Sequence, residues 1–157
     1  MQGKVPARLW AARIALSVAV CALACFIWGN SLASGPASSQ VSGTVTQRVN
    51  DALQAVSPGA SVTEHFVRKA AHFSEFALLG ALAAAWVRAW GLRLARALGW
   101  ALLAGMAVAL ADETLQLFSP GRSASPADVW LDFAGFCAGT ALAAALMAAV
   151  RRLQRRS

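Results

Sequence analysis

The chain has 157 residues, of which 58% are hydrophobic and 13% are charged, and its mean hydropathy is +0.55. This length allows one domain, and this composition excludes an ordinary soluble domain and indicates an integral membrane protein. The net charge of +7 is typical of nucleic-acid-binding proteins as well, but the placement of Lys and Arg along the chain indicates another origin for it.

Four stretches are long and apolar enough to cross a membrane as helices, at residues 9–33, 70–90, 94–118 and 126–150. Ten of the 14 basic residues form three patches, which are Lys4, Arg8 and Arg13; Arg88, Arg93 and Arg96; and Arg151, Arg152, Arg155 and Arg156. The other connections carry only Arg48, Arg68, Lys69 and Arg122. This alternation is the positive-inside pattern of a four-helix, all-α membrane bundle with both termini cytoplasmic, and it argues against a nucleic-acid partner.

The first span has a second interpretation, as a cleavable signal peptide. It has a basic start, an apolar run over Ile14–Gly29 and small residues at Ser31–Ala33 that fit a signal peptidase. We favour a retained helix, because the uncharged run extends to Ala33 and so approaches full spanning length.

The connection at residues 30–61 has valines and a leucine at helical spacing, namely Val41, Val45, Val49, Leu53 and Val56. This pattern predicts a short amphipathic helix on the outer membrane surface, with a solvated loop as the alternative. Next, Ser61 and Glu64 form a capping-box pattern that predicts the start of the second long helix. Between the third and fourth spans, the sequence from Ser119 to Arg122 predicts a tight turn with Pro at its second position and Gly at its third.

Five of the seven acidic residues lie inside the spans or at their mouths, namely Glu75, Asp112, Glu113, Asp128 and Asp132. A carboxylate costs about 2.5–3.5 kcal/mol at the centre of a membrane helix, so such residues usually have a function. Only 12 uncharged residues, Phe76–Val87, separate Glu75 from Arg88. Because that is too short to cross a membrane, the second span must also include His72 and Glu75.

The predicted topology brings these polar residues from three spans to the outer leaflet. Their helical stripes are Arg68, His72 and Glu75; Asp112 and Gln116; and Asp128 and Asp132. Gly135 and Gly139 continue the last stripe as a small-residue packing motif, so the carboxylates are expected to point into the bundle. Glu113 lies about 100° from Asp112 around its helix, so we expect one of the two to face water.

These residue types suggest two roles within one site. Glu75, Asp112, Asp132 and His72 are the candidate catalytic residues, which can move a proton or hold a divalent cation. The candidate ligand-binding residues, of which the cations suit a phosphate or carboxylate head group, are Arg68, Lys69, Glu113, Gln116, Arg122 and Asp128. Two alternatives are a buried structural salt-bridge network and, for Asp128, capping of the fourth helix with Ser125.

Three blocks carry these residues: Phe66-Val-Arg68-Lys69-Ala-Ala-His72-Phe-Ser-Glu75-Phe76, Asp112-Glu113-x-x-Gln116-x-Phe118-x-Pro120-Gly-Arg122 and Asp128-x-x-x-Asp132-x-x-Gly135. In order and spacing they resemble the VanZ-like family of small bacterial membrane proteins. The resemblance implies four membrane helices and an association with antibiotic resistance, since the family is named for a member linked to low-level teicoplanin resistance. Phe76 stands where the family often has Tyr, and Asp132 stands where Asn is common.

Together, the residues and the resemblance predict a polar site under the outer surface of the bacterial cytoplasmic (inner) membrane that acts on or binds a cell-envelope lipid or lipid-linked precursor. A noncatalytic interaction protein of the envelope and a proton-coupled carrier are the alternatives. The apolar inner parts of the spans, at 78–87 and 98–111, argue against a carrier. The sequence leaves open the oligomeric state, the cofactor and whether a reaction is catalysed.

Overall fold

A computed structural model describes the backbone of residues 6–92 and 94–156 and the side chains of these residues other than 94–96. Its five helices are α1 (Ala7–Ser31), α2 (Gly35–Val56), α3 (Glu64–Ala89), α4 (Leu94–Gln116) and α5 (Pro126–Gln154). All except α2 contain a segment long and apolar enough to cross a membrane. The predicted all-α membrane bundle of four spans is therefore confirmed, although Lys4 and Arg93 of the basic patches lie outside the described residues.

Helix α3 begins at Glu64, ahead of the predicted membrane span at residues 70–90, and Thr63 is its N-cap. The Thr63 hydroxyl accepts a hydrogen bond from the Phe66 amide at 3.2 Å. The predicted capping box is therefore wrong: Glu64 is already helical, and its carboxylate accepts a hydrogen bond from the Ser42 hydroxyl at 2.7 Å. The ends of α1 and α4 also differ from the prediction, at residues 31 and 116 instead of 33 and 118.

The predicted amphipathic helix is confirmed as α2, which is longer than its apolar pattern. Pro36 in the first turn and the Ser34 side chain, which accepts a hydrogen bond from the Ala37 amide at 3.4 Å, favour a helix start here. In the second half of α2, the Asn50 side chain donates a hydrogen bond to the Val62 carbonyl and accepts one from the Val62 amide. The valines of the apolar stripe remain exposed, as expected of a helix that lies on a membrane surface.

The closest helix packing joins α3 and α5, which run parallel. Gly135 and Gly139 lie so near the backbone at Phe73 and Ala77 that a Cβ atom on either glycine would collide with it. The register is also fixed by a hydrogen bond from the Thr140 hydroxyl to the Gly80 carbonyl at 3.1 Å. The small-residue motif predicted from the sequence therefore packs inside the bundle, as close backbone approach requires.

Helix α1 runs antiparallel to α3 and is hydrogen-bonded to the bundle near both ends. The Arg13 side chain donates to the Ala89 carbonyl at 3.0 Å, and the Trp28 indole donates to the Val108 carbonyl at 3.3 Å. Ile27, between these contacts, is completely buried. The first span is thus an integral part of the packed bundle.

The alternating helix directions define two ends of the bundle. At one end, called here the polar end, the last residues of α1 and α4 meet the first residues of α3 and α5. A hydrogen bond from the Ser119 hydroxyl to the Ser31 carbonyl at 2.9 Å joins the loop after α4 to the end of α1. The start of α1 and the end of α5 lie at the opposite end, so the two ends of the described chain share one side of the bundle.

Replacing Gly135 by Leu should destabilise the bundle by about 3 kcal/mol or more, because the new side chain meets backbone that cannot move aside. Gly99→Leu is the matched control, since no atom of the described residues lies within 4 Å of a Cβ at that position on α4. Thermal unfolding of both purified variants in detergent measures the difference. Equal stability of the two variants would mean that Gly135 faces lipid.

Candidate functional site

Three ionisable side chains from three helices meet at the polar end: His72 of α3, Asp112 of α4 and Asp132 of α5. His72 Nδ1 lies 3.8 Å from Asp112 Oδ2 and 3.7 Å from Asp132 Oδ2. Both aspartates are completely buried, and the histidine side chain is 17% exposed. We call this group the His–Asp–Asp cluster. It contains three of the four residues that the sequence suggested for catalysis.

The packing of α5 on α3 explains how Asp132 reaches His72. Gly135, one turn after Asp132, lies against the backbone of Phe73, the residue next to His72. The same close approach that excludes a Cβ at Gly135 therefore brings the Asp132 carboxylate to the histidine ring. A larger distance between α3 and α5 would hold the Asp132 carboxylate away from the His72 ring.

On α4, an amide side chain orients the second aspartate. Gln116 Nε2 donates to Asp112 Oδ2 at 3.3 Å and to Glu113 Oε2 at 3.2 Å. Because Asp112 Oδ2 is also the oxygen nearest His72, the amide fixes the carboxylate in the position that faces the cluster. Gln116 thus holds the two neighbouring carboxylates of α4 in place.

The buried carboxylates have fewer partners than their burial requires. Neither carboxylate oxygen of Asp132 accepts a hydrogen bond from the described residues, and the same is true of Asp112 Oδ1. Within the described part of the chain, His72 is the one cationic group at ion-pair distance from either aspartate. Even a protonated histidine neutralises only one of two carboxylates, and an unpaired buried charge is costly.

The fourth catalytic candidate, Glu75, borders the cluster without joining it. It is half-buried on α3 and faces α1, where Asn30 Nδ2 donates to its Oε1 at 3.4 Å. The completely buried Ser31 lies beside Asp112. Sequence reasoning missed both α1 residues, because they are uncharged; their one signal was polarity at the end of an apolar run.

Glu113 and Asp112 are both buried, so the expectation that one of them faces water is wrong. The loop between α4 and α5 folds back over the end of α4, and the Ser125 amide donates to Glu113 Oε1. Ser125 occupies the N-cap position of α5, but its side chain makes no capping hydrogen bond. The Asp128 carboxylate instead forms an ion pair with Lys69 at 2.6 Å, which links α5 to α3.

Arg122 is held over the end of α1 by the turn that precedes it. Gly121 has a φ angle of 77°, which favours glycine, and the Arg122 amide donates to the Ser119 carbonyl at 3.2 Å, as the turn prediction required. Nη1 of Arg122 donates to the Asn30 carbonyl at 3.0 Å. Burial, and then the charge of Arg68, lower the pKa of Arg122 below the usual arginine value, but a guanidinium remains cationic at neutral pH.

A polar cavity of about 630 Å³ lies beside the cluster at the polar end. Its lining includes most of the residues predicted for the site, namely Arg68, Lys69, His72, Gln116, Arg122, Asp128 and Asp132. The first turn of α2, from Gly35 to Ser39, also contributes to the wall. This volume is in the usual range for small-molecule sites, and the polar groups converge on it from four helices and a loop.

Two aspartates on α5 should respond oppositely to the same substitution. In detergent with EDTA, Asp132→Asn should raise the stability by about 1–3 kcal/mol, because it removes a buried unpaired charge. Asp128→Asn should lower it by less than about 1 kcal/mol, because it breaks a partly exposed ion pair. Thermal unfolding measures both changes. Strong destabilisation by Asp132→Asn would instead indicate a structural salt-bridge network around His72.

Comparison with known protein families supports the resemblance to the VanZ-like family. The family model described as VanZ/LLP1 matches residues 16–148, a range that includes every candidate site residue. A search of curated proteins and a search of solved structures each found no match. The match extends from within α1 to within α5 and so covers most of the bundle together with its polar end. The chain therefore belongs to the VanZ/LLP1 family.

Proposed function

We propose that this VanZ-family protein binds the anionic head group of a cell-envelope lipid or lipid-linked precursor in its polar cavity. The observation that carries the proposal is the placement of three cationic side chains around a cavity at one end of a membrane bundle. Such a site suits a molecule with a charged head and an apolar tail, because the head group enters the cavity while the tail remains in lipid.

The two guanidinium groups are the main anion-binding candidates. Within the described part of the chain, Arg122 forms no ion pair, and Arg68 forms one weak contact, at 4.0 Å from Glu64 Oε1. The two guanidiniums are near enough for each charge to act on the other. A phosphate between them would relieve this repulsion and accept paired hydrogen bonds. Lys69, already bound to Asp128, contributes mainly by fixing one wall of the cavity.

A second cavity supports a ligand with an apolar tail. It has a volume of about 760 Å³ and is lined mainly by apolar side chains of α1, α3 and α4, among them Val20, Leu79, Trp100 and Val108. Val108 lies one turn from Asp112, so this cavity approaches the polar site from within the membrane. No Asp, Glu, Lys, Arg or His is among the described residues that line it, which disfavours a proton-coupled carrier.

The basic residues support an orientation with the site at the outer leaflet. Arg8, Arg13, Arg88 and the arginines after Val150 lie at or toward the end of the bundle opposite the polar end. By the positive-inside rule that end is cytoplasmic, so the polar cavity opens toward the envelope. We extend the proposal to a contribution to teicoplanin-type resistance, the phenotype for which the family is named, because this orientation exposes the site to envelope precursors.

Reporter fusions test this orientation. A fusion after Ser157 should be active as a cytoplasmic reporter, and a fusion near Ser39, at the start of α2, should report the periplasmic side, since one membrane crossing separates α2 from each neighbouring cytoplasmic end. A periplasmic C-terminus would reverse the orientation and place the cavity in the inner leaflet.

The head-group proposal predicts a charge-dependent interaction. In detergent with EDTA, farnesyl phosphate should bind the purified protein, and Arg122→Gln and Arg68→Gln should each weaken binding about tenfold or more, because each removes a charge-assisted hydrogen bond. Isothermal titration calorimetry measures the affinities. Arg48→Gln, which changes an exposed arginine of α2, is the matched control and should bind like the wild type.

Farnesol, which has the same tail without the phosphate, separates recognition of the head group from simple partitioning into detergent. Equal binding of farnesol and farnesyl phosphate would contradict the proposal, and so would undiminished binding by a variant that carries both site substitutions. These measurements report binding alone, and therefore apply to a catalytic and to a noncatalytic protein equally.

A further inference from the structure

We propose that the His–Asp–Asp cluster binds one divalent transition-metal ion of the Zn²⁺ or Mn²⁺ class. The inference rests on the proposed function in one respect, since it places the ion beside the cavity that receives the head group. The metal site itself follows from the donors, their separations, their burial and their charge.

The donor set matches such an ion. His72 offers a ring nitrogen and Asp112 and Asp132 each offer a carboxylate oxygen, and these three atoms all lie within 4.8 Å of one another. Three protein donors with a further position open to water or ligand are typical of catalytic zinc sites. A nitrogen donor favours transition metals over Mg²⁺ and Ca²⁺, which prefer oxygen donors alone.

The separations fit a shared ion better than they fit direct hydrogen bonds. At 3.7 and 3.8 Å, the two distances from His72 Nδ1 to the aspartate oxygens are too long for N–H···O hydrogen bonds. Donors about 2.1 Å from a tetrahedrally coordinated ion lie about 3.4 Å from each other. A contraction of a few tenths of an ångström would therefore complete these two edges of a coordination polyhedron.

Charge gives the second, independent reason. Both aspartates are completely buried, and three of their four oxygens have no hydrogen-bond partner among the described residues. The other oxygen, Asp112 Oδ2, accepts from the Gln116 amide, which leaves its carboxylate oriented toward His72. A divalent ion would neutralise two carboxylates with histidine in its neutral, metal-binding form. In metal sites, neighbouring residues regularly orient the metal ligands through hydrogen bonds, as Gln116 does for Asp112 here.

The site is also accessible from the cavity. His72 and Asp132 both line the polar cavity, together with Arg68 and Arg122. An ion held by the cluster would thus present its open coordination position to the same space as the two guanidiniums. A phosphate oxygen on the ion and two phosphate oxygens on the arginines would satisfy all three positive groups at once.

Metal titration of the full chain tests the inference. After EDTA treatment and removal of the chelator, calorimetry with ZnCl₂ or MnCl₂ should show one ion per chain, and elemental analysis should give the same stoichiometry. Asp112→Asn and Asp132→Asn should each weaken binding at least tenfold. Asp51→Asn, the same change at an exposed position of α2, is the matched control and should bind like the wild type.

A second readout does not depend on affinity alone. Zn²⁺ should raise the Tm of the wild type and of Asp51→Asn, but not that of Asp132→Asn. Failure of the wild type to bind either ion would overturn the proposal, as would binding retained by the double variant Asp112→Asn/Asp132→Asn. In the first case a proton shared by the cluster would account for its charge.

The metal proposal and the head-group proposal fail separately. Binding of farnesyl phosphate is measured in EDTA and depends on Arg68 and Arg122, whereas metal binding depends on the two aspartates. If the protein binds the metal ion but not farnesyl phosphate, the head-group proposal is wrong and the metal site stands. The reverse result would leave a head-group site whose buried carboxylates are protonated.

Discussion

The contact between the backbones of α3 and α5 determines the arrangement of the polar end. Membrane helices gain little hydrophobic free energy by leaving lipid for one another, so close packing and interhelical hydrogen bonds must hold them together. Gly80, Gly135 and Gly139 allow this approach, and the bond from Thr140 to the Gly80 carbonyl fixes its register. Since the two helices run parallel, that register determines which charged side chains of α3 and α5 meet at the polar end.

The charges at the polar end form two layers with different degrees of pairing. In the more exposed layer, Lys69 pairs with Asp128 and Arg68 approaches Glu64. In the buried layer, among the described residues, Asp112 and Asp132 share His72 as their one ion-pair partner. A network that existed only for stability would place its best pairing where solvent is absent, because burial makes an unpaired charge most costly. The opposite distribution favours a site that completes its charge balance with something it binds.

The parts of this architecture that sequence could predict are those with a strong periodic or compositional signal. Hydropathy predicted the spans, and helical periodicity combined with alternating helix direction predicted that His72, Asp112 and Asp132 lie at the same end of the bundle. Irregular backbone carries no such period, so the loop that buries Glu113 was not foreseen. Ser61 and Thr63 are both competent caps, and only the structure, in which Glu64 contacts Ser42 of α2, distinguishes them.

The end of α1 is built into the site, and this limits how the first helix can vary. Carbonyls in the last turn of a helix lack intrahelical partners; here Asn30 receives the Arg122 guanidinium and Ser31 receives the Ser119 hydroxyl. Removal of α1 by a peptidase would leave that guanidinium and the Glu75 carboxylate without these partners. Among relatives, substitutions should therefore accumulate on the exposed face of α1, for example at Val18 and Phe26, while its last turn changes slowly.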